Sequence, residues 1–167
     1  MKDEKTVLIM RHAKSSWDDS SKKDFDRPLN KRGRKDAPAM GEYLADLGLI
    51  PDHIVCSTAE RARETILLLA KASGFDKSNI QWNEDLYYDG VEAYLESFRS
   101  VPKDAEIVLV AGHNPTVENT VARLSGGSVK RKITTANIAC FYTSASAWED
   151  VSELNTTFKW LRGPKDI

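Results

Sequence analysis

The chain has 167 residues, 41% of them hydrophobic, with 24 Lys plus Arg against 25 Asp plus Glu for a formal net charge of -1. That is enough chain for a single domain over residues 1–167 with its own core. The near balance of charge leaves no overall basic field to draw nucleic acid or an anionic membrane, so any preference for anions has to be local. Cys56 and Cys140 lack CxxC spacing and read as buried, inert thiols, not a disulfide or a metal site. The charged start Met1-Lys2-Asp3-Glu4-Lys5 precedes an apolar run too short for a signal peptide, and no run of about 18 apolar residues occurs anywhere. The expectation is a soluble cytoplasmic protein.

In chain order, strands and helices alternate, the pattern of an α/β domain with a mostly parallel sheet. The continuous apolar run from Thr6 to Met10 predicts a strand covered on both faces. Asp24 to Pro28 reads as a loop. A helix is predicted from Asn30, with Ala37, Met40, Leu44 and Leu47 on one face and Gly48 to stop it. Pro38 falls inside it, which calls for either a kinked helix or a separate first turn. Ile54 to Cys56 predicts a short strand, followed by a helix to about Ser73 in which Ser57 and Glu60 have capping-box spacing. Arg61 and Arg63 then stand in or near the first turn, where the helix dipole favours negative charge, a conflict that a bound anion would relieve.

Further on, Ile80 to Asn83 predicts a short strand, Val91 to Val101 a helix, and Glu106 to Ala111 a central strand. Asn114 is placed to cap the next helix, Pro115 at its first position needs no amide hydrogen, and Gly126-Gly127 end it. Alternation in Ala136, Ile138, Cys140 and Tyr142, and again around Phe158, Trp160 and Leu161, predicts two closing strands, the last antiparallel at an edge.

Three of these strands lead into polar residues of one chemistry. Arg11-His12 comes after the first, Arg61 after the second, and His113-Asn114-Pro115 after the central one. If the strands are parallel neighbours, their carboxyl ends deliver Arg11, His12, Arg61 and His113 to one crevice. A lone histidine at a strand end often only satisfies local hydrogen bonds. Two guanidinium groups with two imidazoles form a set suited to phosphoryl chemistry, because nearby cations keep His12 unprotonated and nucleophilic while planar forks hold the phosphate oxygens. No metal and no cofactor is called for.

The segments VLIMRHAKSS, STAERARET and VAGHNP, in that order, resemble the histidine phosphatase superfamily. The resemblance implies a phosphoglycerate mutase-like three-layer α/β/α sandwich, His12 as the nucleophile that becomes phosphorylated, and Arg11, Arg61 and His113 completing the phosphate pocket. Ala13 stands where the superfamily usually has glycine, which implies a slightly tighter pocket. Within the superfamily, the RHAKS start, DFDRPLNKRG and the compact length are most similar to SixA-type phosphohistidine phosphatases. Only Phe75 to Asp104 separates the second helix from the central strand, so no large helical insertion roofs the pocket, and an open pocket suits a phosphorylated protein such as a histidine phosphotransfer domain. Asp24 looks like the proton donor of the SixA-type group, with Glu84 and Asp85 in the region where other branches place theirs. A solvated carboxylate beside Lys22 and Lys23 is the plainer reading of Asp24. The competing functions are a small-molecule phosphatase of the same superfamily and a phosphate-binding regulator without turnover.

Overall fold

The computed structural model describes residues 4–167, so Met1, Lys2 and Asp3 of the charged start lie outside the described residues. Six strands form one sheet in the order β3-β2-β4-β1-β5-β6. They are β1 (Lys5–Arg11), β2 (His53–Cys56), β3 (Ile80–Trp82), β4 (Ile107–Gly112), β5 (Ile138–Thr143) and β6 (Thr156–Arg162). The neighbours β3, β2, β4 and β1 are mutually parallel, with Ile9 opposite Val110 and Val55 opposite Val110 across the two central pairings. Strand β5 pairs antiparallel with β1, and β6 pairs antiparallel with β5 as the edge strand that the alternation predicts.

The helices lie on both faces. Helices α1 (Lys31–Asp46) and α2 (Glu60–Ser73) cover one, and α3 (Asp85–Tyr88), α4 (Val91–Arg99) and α5 (Thr116–Leu124) cover the other. Strand β1 shows why its sequence is apolar at every position: Leu8 and Met10 pack with α1 and α2, while Val7 and Ile9 pack with α4 and α5. The fold is the three-layer α/β/α sandwich that the family resemblance implies.

Local departures have local causes. Helix α1 runs unbroken through Pro38 from an Asn30 cap whose side chain accepts the Gly33 N–H at 2.9 Å. Leu47, expected on its buried face, is instead the exposed cap residue next to Gly48, whose φ of +71° turns the chain. Asp24–Asp26 forms a 3-10 turn inside the predicted loop, and α3 escapes sequence reading because four residues carry too little periodicity. The capping box is corrected: α2 starts after Ala59, and Ser57 Oγ accepts the Ala59 N–H at 3.2 Å while engaging His113. At α5, Pro115 occupies the cap position after a cis peptide bond, and Asn114 Oδ1 still accepts the Glu118 N–H at 3.2 Å. Among the described residues, no helix is long and apolar enough to cross a membrane.

Two glycines let backbones meet where a side chain could not fit. A Cβ on Gly41 of α1 would collide with the Leu69 backbone of α2, and one on Gly33 with the Lys14 backbone just beyond His12. Gly33 therefore seats the start of α1 directly against the segment that carries the nucleophile candidate.

Candidate active site

The parallel order β2-β4-β1 puts the ends of those strands side by side, the condition for a shared crevice. His12 comes directly after β1, His113 directly after β4, and Arg61 stands at the second position of α2 beyond β2. The two imidazoles lie 5.1 Å apart between ring centroids, and Arg61 Nε donates to His12 Nε2 at 3.3 Å. His12 Nδ1 is 2.7 Å from the Ala13 carbonyl oxygen. A carbonyl oxygen can only accept, so Nδ1 carries the ring proton and Nε2 keeps its lone pair.

Helix α2 organises this corner with its early side chains. Thr65 Oγ1 accepts the Ala13 N–H at 3.0 Å and donates to the Arg61 carbonyl at 2.6 Å, while Glu64 accepts the Leu29 N–H at 3.0 Å. Ala13, where a tighter pocket was expected, is fully buried and belongs to the apolar core beside α1 and α2.

Asp24 is drawn in from the 3-10 turn. Its carboxylate accepts from Arg61 Nη2 at 3.0 Å, from Arg27 Nε at 3.1 Å and from the Tyr87 hydroxyl at 2.6 Å, and its carbonyl accepts from Arg61 Nη1 at 2.6 Å. The Tyr87 hydrogen bond, followed by those of Arg61 and Arg27, lowers its pKa to about 2 against the resistance of partial burial. Asp24 therefore stands in the site as an anion on Arg61. Glu84 and Asp85 are exposed at the start of α3, and from that helix it is Tyr87 that reaches the site.

Burial and cations govern the imidazoles. Burial above all, then His113, Arg61 and Arg11, push His12 well below its usual pKa despite the opposing Ala13 carbonyl. Burial, then Arg61, Arg11 and Arg27, bring His113 down to about 3, opposed by Asp24. Both rings are neutral at physiological pH. His113 Nε2 lies 2.8 Å from Ser57 Oγ, and its backbone N–H donates to the Tyr94 hydroxyl at 2.9 Å, which itself donates to the Leu86 carbonyl at 2.8 Å. Arg11 Nη1 donates to the Ile133 carbonyl at 3.0 Å. Arg11 Nε, Thr58 Oγ1 and His113 Nδ1 are buried and find no hydrogen-bond partner among the described residues.

The structure thus brings His12, Arg61, His113 and Asp24 into contact, with Arg11 adjoining. Sequence reasoning missed Ser57, Tyr87 and Arg27. Ser57 has the spacing of a helix cap, Tyr87 lies in the short α3, and Arg27 carries only a subfamily resemblance. Arg27 also donates to Ser15 Oγ at 2.9 Å and lies 3.5 Å over the Trp17 ring.

The model of the histidine phosphatase superfamily (branch 1) matches residues 7–87. An uncharacterized chloroplastic protein of Arabidopsis thaliana is 35% identical over 162 residues, 92% of this chain and 73% of that one. The chain belongs to the histidine phosphatase superfamily. Among solved structures, a candidate phosphohistidine phosphatase SixA from Nakamurella multipartitia superposes with a TM-score of 0.81 at 31% identity, covering 98% of each chain. The protein histidine phosphatase SixA complexed with tungstate gives a TM-score of 0.75 at 27% identity over 96% of this chain and 97% of that one. Membership supports a phosphatase, and the superfamily resemblance read from the motifs holds for the fold as well.

Proposed function

We propose that this histidine phosphatase removes the phosphoryl group from phosphohistidine on a partner protein, of the phosphotransfer-domain kind, through a covalent phosphohistidine of its own and without a metal. The observation that carries the mechanism is the His12 ring: its proton is committed to the Ala13 carbonyl, so Nε2 is unprotonated and its lone pair, in the free site, accepts the long Arg61 Nε hydrogen bond that an arriving phosphoryl group would take over. His12 Nε2 forms the new P–N bond while the bond from phosphorus to the substrate imidazole nitrogen breaks. The leaving imidazole carries away that electron pair, and a proton already on its other nitrogen leaves it neutral. Water then attacks the phosphohistidine, releasing orthophosphate and restoring His12. Arg61 and Arg11 stabilise the oxyanion charge in both steps. With the Ser57 hydroxyl donating to Nε2 of His113, that ring offers its Nδ1 proton to a phosphate oxygen. Asp24, ionised in the free site, gains proton affinity beside a dianionic phosphoryl group and serves leaving groups that need a proton.

A protein substrate is supported by the mouth of the site. Trp17 and Tyr88 are 73% and 67% exposed, and Phe25 lies 4.9 Å from Tyr87 between ring centroids, so an aromatic rim stands open to solvent beside Asp24. Two buried free thiols, Cys56 and Cys140, fit a reducing compartment such as the cytoplasm.

The test is a hydrolysis panel with and without chelator, comparing a phosphohistidine-bearing phosphotransfer domain, free phosphohistidine, sugar phosphates and an aryl phosphate. The highest kcat/KM is expected on the phosphoprotein, unaffected by chelation. Rapid quenching should trap an acid-labile, alkali-stable phosphoryl group on His12, and His12→Ala should abolish turnover in a folded protein. Phosphorylation of a serine or carboxylate would overturn the mechanism, and preference for a sugar phosphate would favour a small-molecule phosphatase.

A further inference from the structure

Beside the β1 end, on the side of β5 and the chain terminus, lies a second cavity of about 450 Å³. Four cations line it, Arg11, Lys14, Arg32 and Lys165, together with Asn137. Its carboxylate, Asp166, is already engaged by the Gly163 N–H at 2.7 Å, and Arg32 is shared with Asp36 at 3.3 Å. Lys14 and Lys165 make no ion pair among the described residues. Cations held this close in a concavity repel one another and focus a positive field into it. The cavity exceeds what a lone oxyanion needs and falls within the size range of small-ligand sites.

Arg11 joins the two places. Its charge is among the causes that depress His12 and His113, it lines the second cavity, and its Nε is buried without an acceptor. We propose that this cavity is a second anion subsite, which takes a carboxylate or phosphate group carried by the same substrate whose phosphoryl group faces His12. The proposal rests on the His12 pocket being the phosphoryl site. On the phosphoprotein reading, the second group is an acidic side chain near the phosphohistidine; a small metabolite would carry it as a second acid group.

Competitive inhibition of aryl phosphate hydrolysis tests this with ω-phosphonocarboxylates of increasing chain length against alkylphosphonates of matched length. At one length the carboxylate should tighten inhibition about ten-fold, the value of one good hydrogen bond to a charged group. Lys165→Glu should remove that advantage and Lys165→Arg retain it, with kcat/KM on the aryl phosphate and the alkylphosphonate Ki unchanged in both. No carboxylate advantage at any length, or one that survives both Lys165→Glu and Arg32→Gln, would overturn the subsite. Phosphohistidine peptides with Glu or Gln beside the histidine separate the sources: a rise in KM confined to the Glu peptide in Lys165→Glu points to a protein side chain. An advantage confined to the phosphonocarboxylates points to a metabolite. Failure of wild-type enzyme on every phosphohistidine peptide would remove the phosphoprotein reading and leave the inhibitor series to decide the subsite.

Discussion

Arg61 spends its hydrogen bonds on the protein itself, on His12 Nε2 and on two oxygens of Asp24, so an arriving oxyanion has to displace the Asp24 carboxylate from the guanidinium. Opposite effects are therefore expected from the two partners. Arg61→Ala should weaken competitive inhibition by vanadate or tungstate roughly ten- to a hundred-fold, equivalent to ~1.5–3 kcal/mol for a charge-assisted bond in a shielded site. Unchanged inhibition would place Arg61 outside the phosphate pocket. Asp24→Asn should tighten the same inhibitors, because a competing negative charge is gone. It should also slow alkyl phosphates, whose leaving oxygen needs a proton, by a sizeable part of the ~10²–10⁴-fold typical of general acid catalysis, while sparing phosphohistidine. Equal losses on both substrates would reduce Asp24 to a residue that shapes the pocket.

Between elements, two glycines of α1 do different jobs. Gly41 allows α1 to lie on the backbone of α2 around Leu69, far along the helix from the site, whereas Gly33 fixes the helix start against Lys14, two residues beyond His12. Gly41→Ala should cost on the order of 1–3 kcal/mol by overpacking, read as a lower thermal midpoint, with kcat/KM of the folded enzyme intact. Gly33→Ala should lower the midpoint and kcat/KM together, because relief of the collision moves the backbone that aims His12. Equal kinetics in the two variants would show that the seating of α1 does not reach the nucleophile.

Taken over the entire fold, the site makes stability acid-sensitive. His113 titrates at about 3 in the folded protein against 6.5 in its ordinary state, and Asp24 at about 2 against 3.8, so the unfolded chain binds more protons throughout the intervening range. The neutral-His113 contribution is intact above pH 6.5 and declines as the pH falls toward 3; the Asp24 contribution is lost below about 3.8, discounted because half of its side chain is exposed. Buried, neutral His12 acts in the same direction as His113. Thermal midpoints should drop between pH 7 and pH 4, and His113→Gln should flatten that slope. An identical slope in the variant would contradict the buried-neutral assignment.

The six strands and the candidacy of Arg11, His12, Arg61 and His113 were legible in the residues alone, whereas the parallel adjacency of β2, β4 and β1, on which their grouping depends, is a property of the folded sheet. The legible features rest on periodicity and on polar residues that follow apolar runs, directly for Arg11, His12 and His113 and across a short turn for Arg61. The role of Ser57 was not legible, since a serine hydroxyl at that position suits both capping α2 and serving His113, and the neighbour 56 residues away decides between them. Neither were Tyr87 and the anionic state of Asp24, because the hydrogen bond joining them spans 63 residues and fixes the carboxylate's charge through contacts that exist only after α3 has packed beside the 3-10 turn. Local pattern encodes where a strand ends and which residues come next, whereas protonation state and hydrogen-bond partner are properties of an assembled environment, set by burial and by the charges that folding brings near.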